Sequence, residues 1–108
     1  MPFRVRLTYD AERDLRDIVD YIATYHGASA AEYVLEQIER VLSTLRESPE
    51  RGTYPKELLA LGIQEYREIF FKPYRVIYKI QDRDIFIFVI ADGRRDFRTL
   101  LSRRLLEG

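Results

Sequence analysis

Arginine is the residue through which this chain could do chemistry. The sequence holds 15 Arg against 3 Lys, with a single His and no Cys. Three arginine groups stand out: Arg67 in Glu65-Tyr66-Arg67-Glu68, Arg75 in Pro73-Tyr74-Arg75-Val76-Ile77-Tyr78, and Arg94-Arg95 in Asp92-Gly93-Arg94-Arg95-Asp96. A guanidinium fork matches a phosphate or carboxylate through two hydrogen bonds, and a neighbouring Tyr can stack on a base or donate. Such groups could hold a scissile phosphate and stabilise its extra transition-state charge without a metal. A ribonuclease also needs a general base and a general acid, and here the supply is thin. His26 falls at a turn between two helices, and Lys56, Lys72 and Lys79 are scattered. Each arginine also has a structural reading: Arg75 lies diagonal to Glu68 on neighbouring strands, and Arg95 and Asp96 flank a helix start where Asp96 would be the cap.

The remaining chemistry is excluded by what is missing. Without Cys there are no disulfides, thiolate nucleophiles or Cys-based zinc sites. The sequence has no Walker A loop, dinucleotide fingerprint, HExxH or nucleophile elbow. Asp10, Glu12, Asp14, Asp17 and Asp20 read as the solvated side of a helix rather than metal ligands. No cofactor or metal is expected.

The elements that must position the arginines follow from hydrophobic period. Phe3 to Leu7 alternates apolar and basic, as a half-buried strand does. Thr8 offers a helix N-cap, with Asp10 and Glu12 in the first turn and Leu15, Ile18, Val19 and Ile22 as the apolar stripe. Gly27 ends that helix. A second starts at once, with a capping box from Ser29 to Glu32 and a stripe of Ala31, Val34, Leu35, Ile38, Val41, Leu42 and Leu45. So short a connection makes the two an antiparallel hairpin. Beyond Pro49, Gly52, Pro55 and a turn over 57–61, the period changes. Strands are expected over 65–71, 74–80 and 85–91, broken at Lys72-Pro73 and Asp82-Arg83, as a meander. The tail, with Arg98, Arg103 and Arg104 among Leu100, Leu101, Leu105 and Leu106, reads as a docked C-terminal helix. The fold class is α+β: an N-terminal strand, an antiparallel helical hairpin packed on a mainly antiparallel four-stranded sheet, and a short C-terminal helix.

Two-residue turns fix a register. Phe71 then faces Tyr74, Ile69 faces Val76 and Arg67 faces Tyr78, while Ile80, Tyr78 and Val76 face Ile85, Ile87 and Val89. That aliphatic face is expected to meet the helices. The opposite face, with Tyr66, Glu68, Phe70, Arg75, Ile77, Lys79, Phe86, Phe88 and Ile90, is expected to meet a partner.

The 108 residues fit one domain spanning 1–108. Apolar residues make up 46% and charged residues 33%, which excludes disorder. The net charge of zero divides unevenly: residues 1–65 carry 8 basic and 12 acidic groups, and residues 66–108 carry 10 and 6. A pI of about 6.6 argues against a globally basic nucleic-acid binder. The apolar run Ile85 to Ala91 is far shorter than the roughly 20 residues of a membrane span. No signal-peptide pattern opens the chain. A cytoplasmic protein is expected.

Several strings resemble ParE-type toxins of the RelE/ParE superfamily of bacterial toxin–antitoxin systems. They are Ala11 to Ile22, Ser48-Pro49-Glu50-Arg51-Gly52, Tyr66-Arg67-Glu68, Pro73 to Tyr78 and Asp92 to Asp96. They run in order over nearly the whole chain. The resemblance implies a type II toxin that causes growth arrest when free, poisons DNA gyrase by protein–protein binding, and is neutralised by a cognate antitoxin. The ribosome-dependent mRNA endoribonuclease of the RelE branch is the alternative, and a non-toxic, degenerate antitoxin-binding module a second. For a metal-free nuclease the nearest equivalents are Arg67, Arg75, Arg94, Arg95 and Lys56. Many relatives carry a His where this chain has Asp92, the lysine-rich stretch before the sheet is answered only by Lys56, and no terminal catalytic Tyr or His follows Arg95; a non-enzymatic gyrase poison is therefore the better fit. Its target-binding residues would be Arg94, Arg95, Arg75 and Arg98. Tyr21, Tyr25 and Tyr33, surplus to the core stripes, would anchor the antitoxin. Direct DNA binding is not expected without it.

Overall fold

The computed structural model describes residues 2–107. Strand β1 (Arg4–Leu7) leads into helix α1 (Tyr9–His26) and helix α2 (Ala28–Ser43), which tightens into a 3-10 turn over Thr44–Arg46. A four-residue helix α3 (Lys56–Leu59) precedes strands β2 (Arg67–Phe71), β3 (Tyr74–Gln81) and β4 (Asp84–Asp92). Helix α4 (Phe97–Leu101) widens into a π-type turn over Ser102–Leu106. Among the described residues no helix is long and apolar enough to cross a membrane.

Local chemistry sets the helix ends. The Thr8 hydroxyl accepts from the Ala11 backbone N–H at 3.1 Å, with Asp10 and Glu12 in the first turn of α1 where the dipole favours them. Gly27 alone joins the two helices at φ 95°, a conformation that costs glycine little. The expected Ser29–Glu32 capping box does not form. Helix α2 begins at Ala28, so Ser29 already lies inside its first turn and Gly27 takes the cap position.

The sheet order is β1-β4-β3-β2, with β1 parallel to β4 and the other pairs antiparallel. The β2–β3 register is the one expected, with Arg67 opposite Tyr78 and Phe71 opposite Tyr74. From the Asp82-Arg83 turn, Ile80 faces Ile85 and Tyr78 faces Ile87, again as expected. There the agreement stops. A bulge leaves Phe88 unmatched, so Ile77 faces Val89 and Val76 faces Ile90. One extra residue flips the rest of the strand. Ile90, expected on the mixed face, packs with Val76, Tyr78 and Ile38 in the hairpin-side core, while Val89 joins Ile77 on the other side.

The second face is also not the open surface expected. Leu58 of α3 and Phe97, Leu100 and Leu101 of α4 cover Ile77, Val89 and Ala91 as a second apolar layer. The sheet is a filled slab between the hairpin and the C-terminal elements.

The bulge needs support, because β1 pairs with β4 only as far as Ile87. Beyond it, Asp14 of α1 accepts from the Ile90 N–H at 3.0 Å, and Arg104 donates to the Phe88 carbonyl at 2.6 Å. Arg104 and Asp14 are joined by two further hydrogen bonds, 3.0 and 2.9 Å long. Asp14 therefore lies on the inner side of α1, half-buried, and not on the solvated side with Asp10, Asp17 and Asp20. The tail is docked, as expected, and this ion pair is its tether.

Candidate functional site

The three arginine groups meet different fates. Arg75 is built into the interior. Its Nε donates to Glu68 at 2.7 Å, and its two Nη atoms donate to the Glu57 carboxylate at 2.9 and 2.8 Å. Its guanidinium lies 4.0 Å from the Phe97 ring centroid. The Arg75 side chain is 10% exposed and that of Glu68 6%. Hydrogen bonding from Arg75 holds the Glu57 carboxyl below the usual carboxylate range, and the same bonds raise the pKa of Arg75. The sequence reading found Glu68 but missed Glu57, which a four-residue helix delivers.

Arg67 is spent on the loop before α3. Its Nη1 donates to the Gly52 carbonyl at 2.9 Å, and its Nη2 to the Tyr54 hydroxyl at 3.1 Å. Tyr78, fully buried, secures the same loop by donating to the Pro49 carbonyl at 2.7 Å and accepting from the Gly52 N–H at 3.0 Å. A side chain at Gly52 would collide with that hydroxyl, the Cβ position lying 2.5 Å from it. Burial pushes the Tyr78 hydroxyl up, away from ionisation.

Arg94 and Arg95 face outward. Arg94 folds back on Asp92, with Nε to Oδ1 at 3.0 Å and Nη2 to Oδ2 at 2.6 Å, yet its side chain is 81% exposed. The pairing lowers the Asp92 pKa. The Arg95 side chain is exposed and makes no hydrogen bond or ion pair among the described residues. Asp96, as expected, caps α4 by accepting from the Thr99 N–H and hydroxyl, which holds its carboxyl low. Arg98 is exposed on α4.

Two grooves result. The larger, of about 830 Å³, runs between the hairpin and the end of the sheet, where Ile18, Ile22, Val34, Tyr21 and Tyr74 line it together with Arg94 and Arg95. Burial raises the Tyr74 pKa, with the Asp92 charge adding to it. The smaller, of about 390 Å³, lies on the other side of Pro73 and Tyr74 and is lined by Lys56, Lys72, Tyr54, Phe70 and Arg75. The residues expected of a nuclease are therefore divided. Lys56 and Arg75 line one groove, Arg94 and Arg95 the other, and Arg67 neither. The expected antitoxin anchors are exposed, Tyr21 stacking on Tyr25 at 4.8 Å between ring centroids and Tyr33 standing on α2. Among the described residues no three His, Asp or Glu side chains are grouped to hold a metal.

A family model described as the ParE toxin of the type II toxin–antitoxin system, parDE, matches residues 5–97. The chain belongs to the ParE toxin family. No curated protein sequence matches it significantly. Solved structures show where this ParE-family fold stands. The chromosomal ParDE toxin–antitoxin system of P. aeruginosa superposes with a TM-score of 0.70 at 19% identity, over 83% of this chain and 95% of that one. A free mutant of the E. coli toxin RelE gives 0.64 at 18%, over 97% and 100%. The RelBE2 toxin–antitoxin complex of Mycobacterium tuberculosis gives 0.58 at 23%, over 85% and 99%. At such identities these likenesses speak for the fold alone, and they include both ParE and RelE members.

Proposed function

We propose that this toxin arrests bacterial growth in the cytoplasm by binding DNA gyrase as a protein–protein poison, and that a cognate antitoxin neutralises it. The observation that carries this reading is the division of the basic groups. A phosphate-cleaving site must converge its cations and its acid–base pair on one reacting atom. Here the buried Arg75 is satisfied by two carboxylates, Arg67 holds a loop, and only Arg94, Arg95 and Arg98 present exposed guanidinium groups at the corner between β4 and α4. Exposed forks of this kind can grip carboxylates on a partner protein. Tyr21, Tyr25 and Tyr33 on the hairpin supply aromatic anchors for the antitoxin.

The test is expression in bacteria without antitoxin, paired with purified protein. Filamentation, a DNA-damage response and trapped, cleaved DNA in a reaction with gyrase are expected. An immediate halt of translation with cleaved ribosome-bound mRNA would replace this reading with the ribonuclease one. Growth without any defect would leave a non-toxic antitoxin-binding module.

A further inference from the structure

Helices α3 and α4 overlay part of the sheet's second face, and one cross-strand row beside them stays open. Arg6 of β1, Phe86 of β4 and Lys79 of β3 are register partners in turn, so their side chains stand side by side. They point away from the hairpin, because their chain neighbours Val5, Leu7, Ile85, Ile87, Tyr78 and Ile80 all pack into the hairpin-side core. Tyr66, just before β2, continues the row, with the Lys79 Nζ 5.8 Å from its ring centroid. Phe88 props that ring edge-on, at 5.5 Å between centroids. Cation, ring, cation and ring thus alternate across the width of the sheet, over about 14 Å at ordinary strand spacing. Both rings are half-buried, and the side chains of Arg6 and Lys79 are 51% and 32% exposed.

The cations are loosely held. Arg4 and Arg6 share the single carboxylate of Asp84, which leaves one positive charge over, and Lys79 meets the exposed Glu65 at 3.4 Å. Ion pairs this open are worth little and exchange readily for another anion. None of the four row residues lines either groove, and a flat row is a poor seat for the side-chain anchor of a protein partner. What a ring beside a cation accepts is a base on the ring and a phosphate on the cation.

We propose that this row is a stacking platform for single-stranded nucleic acid, with bases on Phe86 and Tyr66 and the phosphates between them at Arg6 and Lys79. The pI of about 6.6 argues against a globally basic binder, and binding by a local row is correspondingly weak, sequence-tolerant and salt-sensitive. Stacking and charge do not read the 2′-hydroxyl, so DNA and RNA strands are expected to bind alike. A duplex, whose bases already stack on one another, offers the rings nothing. The platform is independent of the gyrase reading, since Phe86 lies near the start of β4 and Arg94 and Arg95 past its end.

The experiment titrates the full-length toxin, by fluorescence anisotropy, against labelled oligothymidine and oligouridine of about 12 nucleotides. A duplex of the same length and a glutamate peptide of equal charge are run beside them. Both single strands are expected to bind, and the duplex and the peptide about tenfold more weakly or worse. With Arg4, Arg6 and Lys79 as the cations, the log–log salt slope should be about −2, and Arg6→Gln or Lys79→Gln should each make it shallower by about 0.7. Phe86→Leu and Tyr66→Leu keep apolar bulk but remove a ring, and each should weaken binding about fivefold or more, while Tyr66→Phe should bind as wild type. The exposed Arg6→Gln and the half-buried Tyr66→Leu keep the test decisive if Phe86→Leu fails to fold. Wild-type affinity in the ring variants, or a duplex bound as tightly as the single strands, would overturn stacking. A glutamate peptide bound as tightly would overturn the nucleic-acid assignment in favour of an acidic protein partner. No binding of either single strand at low salt would remove the platform, whatever the toxin does to gyrase.

Discussion

Arg75 and Arg95 began as equivalent candidates, and the fold treats them oppositely. Arg75 is closed in by α3 and α4, with Glu57 and Glu68 taking its donors and Phe97 lying against its guanidinium. Arg95 stands beyond the end of β4, exposed, on the wall of the large groove. The difference is one of cover. Arg75 is the second residue of β3, opposite Ala91 and so at the same end of the sheet as Arg95, but it lies on the face that α3 and α4 overlay, and an ion left there must be paired. Residues just past a strand end escape cover, because the chain is turning. In this toxin, then, arginine type and a neighbouring tyrosine do not tell an open guanidinium from a closed one; the cover over its face does.

The sharpest way to break that contrast is to remove Arg75. Arg75→Ala leaves the buried Glu68 and the half-buried Glu57 without their cation, and a loss of about 3 kcal/mol in unfolding free energy is expected from urea titration. Replacing Arg75 by Met together with Glu57 and Glu68 by Leu should recover most of it, since an apolar layer already surrounds the site. If Arg75→Ala were as stable as wild type yet non-toxic, Arg75 would rejoin the functional set.

The bulge tether comes next in size. Asp14→Ala removes the acceptor of the Ile90 N–H and the partner of Arg104 together, and should cost about 1–3 kcal/mol. Arg104→Ala should cost a similar amount, and the two losses should not add when combined, because they break one network. Additive losses in a double-mutant cycle would mean that the tail docks by its leucines alone.

How much of this was legible in the sequence can be judged at β4. The helix stripes, the Thr8 and Asp96 caps, the Gly27 joint and both two-residue turns were readable, because each rests on local chemistry. The register was therefore right from each turn as far as Ile87. It failed at Phe88 because Ile85 to Ala91 is apolar on both faces. A strand buried on two sides carries no alternation, so a one-residue slip leaves no mark in the pattern. Asp14 did leave a mark that was overlooked: Ala11, Asp14, Ile18 and Ile22 share one helical face, and an acid on a buried stripe calls for a partner. Its partner, Arg104, is 90 residues away, and no spacing rule reaches that far. Glu57 was hidden for a different reason, since a helix of four residues has too few positions to show a period.

A gentler way to sharpen the contrast is pH. Glu57 is held below its ordinary value of 4.5 chiefly by hydrogen bonding from Arg75. A carboxyl with a depressed folded-state pKa contributes stability above its unfolded value and loses it as pH falls through the folded one. Urea midpoints should therefore drop as pH is lowered from 5 toward 3, roughly the range where carboxylates titrate. In Glu57→Gln the drop should be shallower but still present, because Asp84, Asp92 and Asp96 are also held low by Arg6, Arg94 and Thr99 in turn. An identical acid limb in wild type and Glu57→Gln would mean that the Arg75 site does not titrate with folding.

The smallest structural effect is expected at the open end, where the functional effect should be large. Arg94 pairs with Asp92 in full view of solvent and Arg95 has no ion pair among the described residues, so replacing both by Ala should leave the melting midpoint where it was. Toxicity on expression without antitoxin should nevertheless be abolished. Changing both to Lys keeps the charge but loses the fork that grips a carboxylate through two bonds, so toxicity should fall only in part. The pair of measurements, a melting curve and a growth assay on each variant, separates the covered arginine from the open ones: stability without function lost at Arg75, function without stability lost at Arg94 and Arg95. A double-Ala protein that stays folded and fully toxic would remove this corner from the candidate site. The search would then move to Arg98 on α4 and to the groove of Lys56 and Lys72, which are exposed cations as well.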